Sequence, residues 1–316
     1  MFSKKSIILA PMAGISDRSF RHLCRSFGAD LAVSEMVSAK GLVYGDRKSR
    51  ILLAADESDK PHWLQLFGSE PEIIREAAQI ALATGADLID INMGCPVRKV
   101  VKTGAGAALL RKPERAAEIM QALDRAPAIP YTIKVRTGWD HNTFVLNDFI
   151  DMAATFNAKA LTCHPRTATM MFSGKADWDK LFSAIENAPL PIIGSGDIND
   201  VETANQYLSH PDLSGIMLGR RTFGRPWFFR EIKEFLRNGK SWSPAPELKR
   251  ETILRHGELL KEEYGEKTGL LIYRKHLAWY IKGIPGAAAF RKKIFTLTNY
   301  SAIREIVNEL FGQSDL

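Results

Sequence analysis

Cysteine is scarce in this chain. Cys24, Cys95 and Cys163 are the only three in 316 residues, and they lie far apart. No pair stands at Cys-x-x-Cys spacing, which argues against a disulfide framework or a zinc ribbon and for a reducing compartment, the cytoplasm. Long apolar runs are missing too. No stretch approaches the length of a membrane span, and Ile7-Ile8-Leu9-Ala10 is too short for the apolar core of a secretory leader. No Gly-x-Gly-x-x-Gly turn follows the first apolar run, which disfavours an open doubly wound sheet. No second His or carboxylate stands at ligand spacing beside His164, so no metal centre is expected. Repeats and low-complexity segments are absent.

The composition, 45% apolar and 25% charged, is that of an ordinary globular protein. Short apolar runs alternate with helical patterns. Strands are expected at Ile7–Ala10, Leu31–Ser34, Trp63–Phe67, Leu88–Asn92, Tyr131–Val135, Ala160–His164, Pro191–Gly194 and Gly215–Leu218. Between them, Pro71–Thr84 and Pro113–Asp124 carry apolar residues at helical spacing behind a first-turn proline. About eight strand–helix units over roughly 225 residues is the size of a (β/α)8 TIM barrel, with the doubly wound sheet as runner-up.

The pattern changes near residue 240. Trp242-Ser243-Pro244-Ala245-Pro246 reads as a linker, and only helical patterns follow it. The expected organisation is a catalytic barrel over 1–240 and a small all-helical domain over 241–316. Formal charge is +7, and residues 240–316 hold 13 Lys/Arg against 9 Asp/Glu. That balance suits a polyanionic partner; a solvated basic surface is the alternative reading.

The most informative stretch runs from Asp90 to Gly106. Leu88-Ile89-Asp90-Ile91 stops at a Gly94-Cys95-Pro96 corner and opens into a basic loop with Lys99 and Lys102. A structural cysteine usually packs inside an element as a small hydrophobe, as Cys24 and Cys163 are expected to do. Cys95 instead stands just past a strand end, where barrel enzymes place their chemistry. The other strand ends carry Pro11-Met12-Ala13, Gln65, Asn92, Lys134, Arg136, His164, Arg166, Ser195-Gly196-Asp197 and Gly219-Arg220. Glycine-rich turns after the seventh and eighth strands suit a phosphate held on backbone N–H groups. Lys134 is either a Schiff-base nucleophile or a cation facing an electron-rich cofactor.

Together these residues resemble the tRNA-dihydrouridine synthases, flavin enzymes that reduce uridine in tRNA. The likeness runs through Ala10-Pro11-Met12-Ala13-Gly14-Ile15, Gln65-Leu66-Phe67-Gly68, Asn92-Met93-Gly94-Cys95-Pro96, Lys134-Val135-Arg136-Thr137-Gly138-Trp139, His164-Pro165-Arg166-Thr167, Gly196-Asp197-Ile198 and Gly224-Arg225-Pro226-Trp227. The tail from Arg274 to Gly286 resembles the B-type bacterial branch. Two positions depart from the usual pattern: Ser195 where Asn is commoner before Gly-Asp, and Pro165 where many members have Gly.

The resemblance implies FMN as cofactor, NADPH as reductant and a tRNA uridine, pointing to the D-loop, as substrate. By the same resemblance Pro11, Met12 and Ala13 line the flavin ring and Gln65 hydrogen-bonds it. Lys134 faces its N1/O2 edge and His164 contacts it. Ser195, Gly196 and Asp197, with Gly219 and Arg220, hold its phosphate. Hydride passes from flavin N5 to uracil C6, and Cys95 protonates C5. Asn92, Arg136 and Arg166 are candidates for uracil's polar edge, and Lys99 and Lys102 for tRNA phosphate; nothing demands a dimer. The rivals are a dihydroorotate dehydrogenase-like enzyme acting on free pyrimidines, an RNA-binding protein without the redox step, and a Schiff-base aldolase using Lys134.

Overall fold

Eight short apolar segments pair side by side in chain order, and the eighth closes back on the first. The computed structural model describes residues 5–54, 57–126 and 129–311. The strands are β1 Ser6–Leu9, β2 Leu31–Ser38, β3 Trp63–Phe67, β4 Leu88–Asn92, β5 Tyr131–Arg136, β6 Leu161–His164, β7 Ile192–Ser195 and β8 Leu213–Leu218. All neighbours are parallel and the barrel is closed, the (β/α)8 architecture expected. Parallel strands covered on both faces read as near-continuous apolar runs, as these do.

The pleat sorts the residues. Ile8, Leu31, Val33, Trp63, Leu88, Ala160, Ile193 and Met217 form a buried cluster inside the barrel. Two residues further along the same strands, on the same face, stand Gln65, Asp90 and Ser195. The interior therefore turns from apolar to polar towards the C-terminal ends of the strands, the end where barrel enzymes react.

β2 runs four residues past its expected end at Ser34. Polar Ser34 and Glu35 interrupt the apolar alternation, but they sit where the register with β3 shifts between Val33 and Met36. Such a bulge absorbs an extra residue without ending the strand. Ser34 satisfies the local backbone: its Oγ accepts from the Gln65 N–H at 3.0 Å and donates to the Glu35 carbonyl at 2.8 Å.

Two compact units divide the chain. One runs up to Asp17 and again from Ala29 to Gly219; the other takes Arg18–Gly28 and everything from Arg220 onward. The packing boundary thus lies ahead of the compositional change at 240. The helix Arg18–Ser26, which follows β1 in sequence, groups with the tail and buries Phe20, Leu23 and Cys24. The Phe20 ring lies 5.7 Å from His256 and 5.4 Å from His276. Glu263 accepts from the N–H and hydroxyl of Ser19 at 2.9 and 2.6 Å.

The second unit is all helical. The helical pattern after the linker folds as one long span, Pro246–Tyr280, broken at Gly265 (φ 76°, ψ 172°). That left-handed kink suits glycine. Ala287–Thr296 and Tyr300–Phe311 complete it. Among the described residues no helix is long and apolar enough to cross a membrane.

Candidate active site

The C-terminal ends of the strands gather the polar side chains named above. β1 leads into a turn that is locked locally: Met12 N donates to Ser16 Oγ at 2.9 Å, and the N–H groups of Ile15 and Ser16 donate back to the Met12 carbonyl at 2.9 Å each. The Gly14 N–H donates to the Glu35 carboxylate of β2. Pro11 and Met12 are half-buried and Ala13 exposed.

A continuous line of hydrogen bonds crosses β3, β4 and β5. Trp63 Nε1 donates to Thr132 Oγ1 at 3.1 Å, and Thr132 Oγ1 donates to Asp90 Oδ1 at 2.6 Å. Gln65 Nε2 donates to Asp90 Oδ2 at 2.6 Å, and Asn92 Nδ2 donates to Gln65 Oε1 at 2.9 Å. Asn92 Oδ1 then accepts the Cys95 N–H at 2.9 Å and the Gly94 N–H at 3.3 Å. Asp90 is buried, and burial raises its carboxyl to about 6 against the opposing donors Gln65 and Thr132 and the charge of Lys134.

Cys95 is half-buried at the head of its loop. Its carbonyl accepts the Ala107 N–H at 3.0 Å, which pins the start of the loop to its far side. Gly106 makes this approach possible: a Cβ there would stand 2.7 Å from the Cys95 carbonyl oxygen. Burial pushes the thiol above its ordinary value, while the Val97 N–H and the cations Arg136 and Lys134 pull the other way. A raised thiol keeps its proton at neutral pH and can donate it. The exposed Lys99 and Lys102 are not among the charges acting on it.

Lys134 pairs in register with Asn92, one strand away from Cys95's approach. Burial lowers its ammonium to about 8, with Asp90 opposing that shift and Arg136 adding to it. Its Nζ makes no hydrogen bond or ion pair among the described residues. Arg136 is committed to structure: Nε donates to the Gly94 carbonyl at 3.0 Å, and Nη1 to the carbonyls of Thr167 and Met171 at 2.8 Å each. It therefore ties the cysteine corner to the loop after β6.

That loop is held a second time by Arg166, buried at 2% exposure. Its guanidinium donates to the carbonyls of Ser173 (3.1 Å) and Gly174 (2.8 Å), lies 3.1 Å from His164 Nε2, and meets Asp197 Oδ2 at 2.6 Å. Asp197 also accepts the Ala176 N–H at 2.8 Å. Gly196 sits at φ +114°, where a Cβ would come within 2.7 Å of the His164 ring. The backbone of the turn after β7 is thus bare beside His164. Ser195 is buried beneath it, and Gly219 is half-buried at the end of β8. Arg220, the next residue, is exposed and opens the short turn Arg220–Thr222.

Asn92, Cys95, Gln65 and Lys134 thus converge on one end of the barrel, joined to the His164, Ser195 and Gly196 side by Arg136 and Arg166. Lys99 and Lys102 lie on the outer surface of the cysteine loop. Sequence reasoning passed over Asp90, Thr132 and Trp63. The available signal was parity: Asp90 shares the inward face of β4 with Asn92, and a carboxylate inside an apolar strand needs partners. Among the described residues no cluster of three metal-ligating side chains occurs.

A closed parallel barrel with a half-buried thiol, a buried lysine and a bare glycine turn at its C-terminal mouth has the arrangement of a (β/α)8-barrel enzyme. The comparisons specify which. The family model described as Dihydrouridine synthase (Dus) matches residues 8–311. The chain is 39% identical over 309 residues to tRNA-dihydrouridine synthase B of Pseudomonas aeruginosa, covering 97% of this chain and 93% of that one. It is 37% identical over 308 residues to a probable tRNA-dihydrouridine synthase of Rickettsia conorii, with 97% and 93% covered. This chain belongs to the dihydrouridine synthase family. Among solved structures, histamine dehydrogenase from Rhizobium sp. 4-9 superposes with a TM-score of 0.57 at 10% identity, covering 81% of this chain and 49% of that one. A variant of NCR from Zymomonas mobilis gives 0.54 at 18%, covering 78% and 91%. At such identities the likeness concerns the fold alone.

Proposed function

We propose that this protein reduces the C5–C6 double bond of a uridine in tRNA to 5,6-dihydrouridine, with FMN as cofactor, NADPH as reductant and a D-loop uridine as target. The observation that carries the reading is Cys95: a thiol held in its protonated state at the strand-end mouth, its loop fixed through Asn92 and Gly106. The names of the relatives support the substrate.

The residues fit a flavin mononucleotide. Lys134 Nζ lacks a partner, the Thr162 hydroxyl next to it in register is buried without one, and the turn at Gly196 presents bare backbone. Pro11, Met12 and Ala13 would line the ring. Gln65 has one N–H and one lone pair left after Asp90 and Asn92, enough for a bond to it. Ser195, the Gly196 backbone and Gly219, with Arg220 next in the chain, would take the phosphate. Asp197 supports that turn by turning its carboxylate to Arg166. When bound, FMN supplies the two reducing electrons, accepted from NADPH and delivered to uracil C6.

The chain's own part is proton and charge management. Lys134 would set its positive charge against the flavin ring, and His164 would border the same cofactor. Cys95 donates its proton to uracil C5 as charge develops there. Asn92 faces the polar edge of the base, and a flipped loop uridine costs a few kcal/mol to present. Arg136 and Arg166 act on that edge through the loops they hold. Lys99, Lys102 and the basic tail beyond residue 240 contact tRNA phosphate.

The test adds NADPH and unmodified tRNA to the FMN-loaded protein under anaerobic conditions and measures dihydrouridine. Cys95→Ala is expected to abolish turnover while FMN stays bound and is still reduced. Near-normal dihydrouridine formation by that variant refutes the acid role; turnover of free pyrimidine instead of tRNA refutes the substrate.

A further inference from the structure

We infer that Asp90 is a positioning residue for Cys95: its carboxylate anchors the line of side-chain hydrogen bonds that runs from Thr132 and Gln65 through Asn92 to the cysteine loop. Asp90 contacts neither the thiol nor the mouth of the barrel. It acts through two side-chain amides, Gln65 and Asn92, whose far end is held by the backbone N–H groups of Gly94 and Cys95.

The polarity of the line shows why. A carboxylate has only acceptors, so both neighbours must present a proton to it. On one side Thr132 donates its hydroxyl proton to Oδ1 and is left to accept from Trp63 Nε1. On the other, Gln65 turns its NH2 group to Oδ2. That choice leaves Gln65 Oε1 facing Asn92, which must answer with its own NH2 group. Asn92 Oδ1 then points at the backbone N–H groups of Gly94 and Cys95. Reversing any amide would set two donors against each other in a buried site. Buried networks of this kind are rigid when fully satisfied and costly when one member is wrong.

The ionised state of Asp90 completes this order at one end, as the backbone donors of Gly94 and Cys95 do at the other. A protonated carboxyl must donate, and its two neighbours are already donors. Lys134 of β5 is the charged group acting on Asp90; β3 faces it with the neutral Gln65. Burial brings the protonation of Asp90 to about 6, close enough to neutrality for its effect on the loop to be titrated.

The inference deepens the proposed function, since the thiol it positions is the acid named there. Its test reads the thiol itself and needs neither tRNA nor turnover. Alkylation of Cys95 by N-ethylmaleimide is followed by peptide mass across pH; Cys24 and Cys163 are buried. In the unsubstituted protein the logarithm of the rate is expected to rise with pH and to bend near pH 6. Asp90→Asn is expected to remove the bend and change the rate by about three-fold or more, a coupling ordinary for a shared network. Asn92→Ala should change it as well, and the double variant should match Asn92→Ala alone.

An unaltered rate and bend in Asp90→Asn, or effects of the two substitutions that simply multiply, overturn the inference. Should Asp90→Asn fail to fold, Thr132→Val decides. It withdraws one donor from the carboxylate and should move the bend to higher pH; a bend that stays in place overturns the inference. Loss of dihydrouridine formation in the unsubstituted protein would sink the proposed function and leave this result standing.

Discussion

The Arg166 guanidinium, on the loop after β6, donates through Nη2 to Oδ2 of Asp197, on the turn after β7, at 2.6 Å. With 2% of the arginine side chain and 26% of the aspartate exposed, the pair is largely withdrawn from water. Breaking one partner of such a pair leaves an uncompensated charge, a loss of roughly 3–5 kcal/mol in fully buried cases. Asp197→Asn is therefore expected to weaken FMN binding by about ten-fold or more, read by flavin fluorescence titration. Arg166→Lys should not restore the site, because one ammonium cannot replace a fork that also holds Ser173, Gly174 and His164. A lysine variant with unchanged flavin affinity would show the fork to be dispensable.

Lys134 titrates within the working range. Burial has lowered its ammonium from 10.5 to about 8, so the charge is present below pH 8 and lost above it. The potential of the bound flavin is expected to change its pH slope near 8, becoming more negative as the cation disappears, and Lys134→Met should abolish the bend. The stability sign is the opposite. The unfolded chain binds more protons between 8 and 10.5, so stability rises across that window. Spectroelectrochemical titration settles the first point, and a straight line through pH 8 in the unsubstituted protein would defeat it.

Lys99 and Lys102 are exposed on the basic side of the cysteine loop. Each phosphate contact releases condensed counterions on binding, so each Lys→Ala change should reduce the salt slope of tRNA affinity by roughly 1. The loss should be similar for tRNAs of different sequence, since phosphate carries no base identity. Filter binding over a range of salt checks this, and an unchanged slope removes the two lysines from the interface.

His256 and His276 give the second unit an acid weakness. Both are fully buried, and among the described residues the Nε2 of His256 and both nitrogens of His276 have no hydrogen-bond partner. Burial lowers His256 from 6.5 to about 3 and holds His276 well below its ordinary value. The unfolded chain therefore takes up protons below pH 6.5 that the folded one refuses, and stability falls as pH drops. At pH 5 the loss from His256 is about 2 kcal/mol, and His276 adds in the same direction. His276→Phe should flatten the dependence measured by urea midpoints between neutral pH and 5; midpoints that do not move with pH would show that protons reach these rings in the folded state.

Sequence periodicity located all eight strands because apolar runs buried on two faces are legible without partners. It ended β2 early, since a bulge is a relationship between two strands and Ser34 alone reads as a terminator. At the site, Cys95, Lys134 and Asn92 were legible as chemical groups at strand ends. Asp90 was not, because one carboxylate in an apolar run gives no sign of the Thr132 and Gln65 donors that make it tolerable. For Arg136 and Arg166 the sequence showed the charge but not the bonds it makes. A cation beside an active site reads as a substrate contact; only the fold shows that they also donate to the carbonyls of Gly94, Thr167, Met171, Ser173 and Gly174 and to Asp197.

By itself the chain determined the barrel, the helical tail, the family and the residues available for chemistry, because hydrophobic period and motif order are local properties. Only the tertiary structure decided how those residues are used. It grouped the helix Arg18–Ser26 with the tail, set the protonation of Cys95 and Lys134 by burial, and aligned Trp63, Thr132, Asp90, Gln65 and Asn92 into one directed line. Burial and hydrogen-bond direction arise between segments distant in sequence, and they exist only once the barrel has closed.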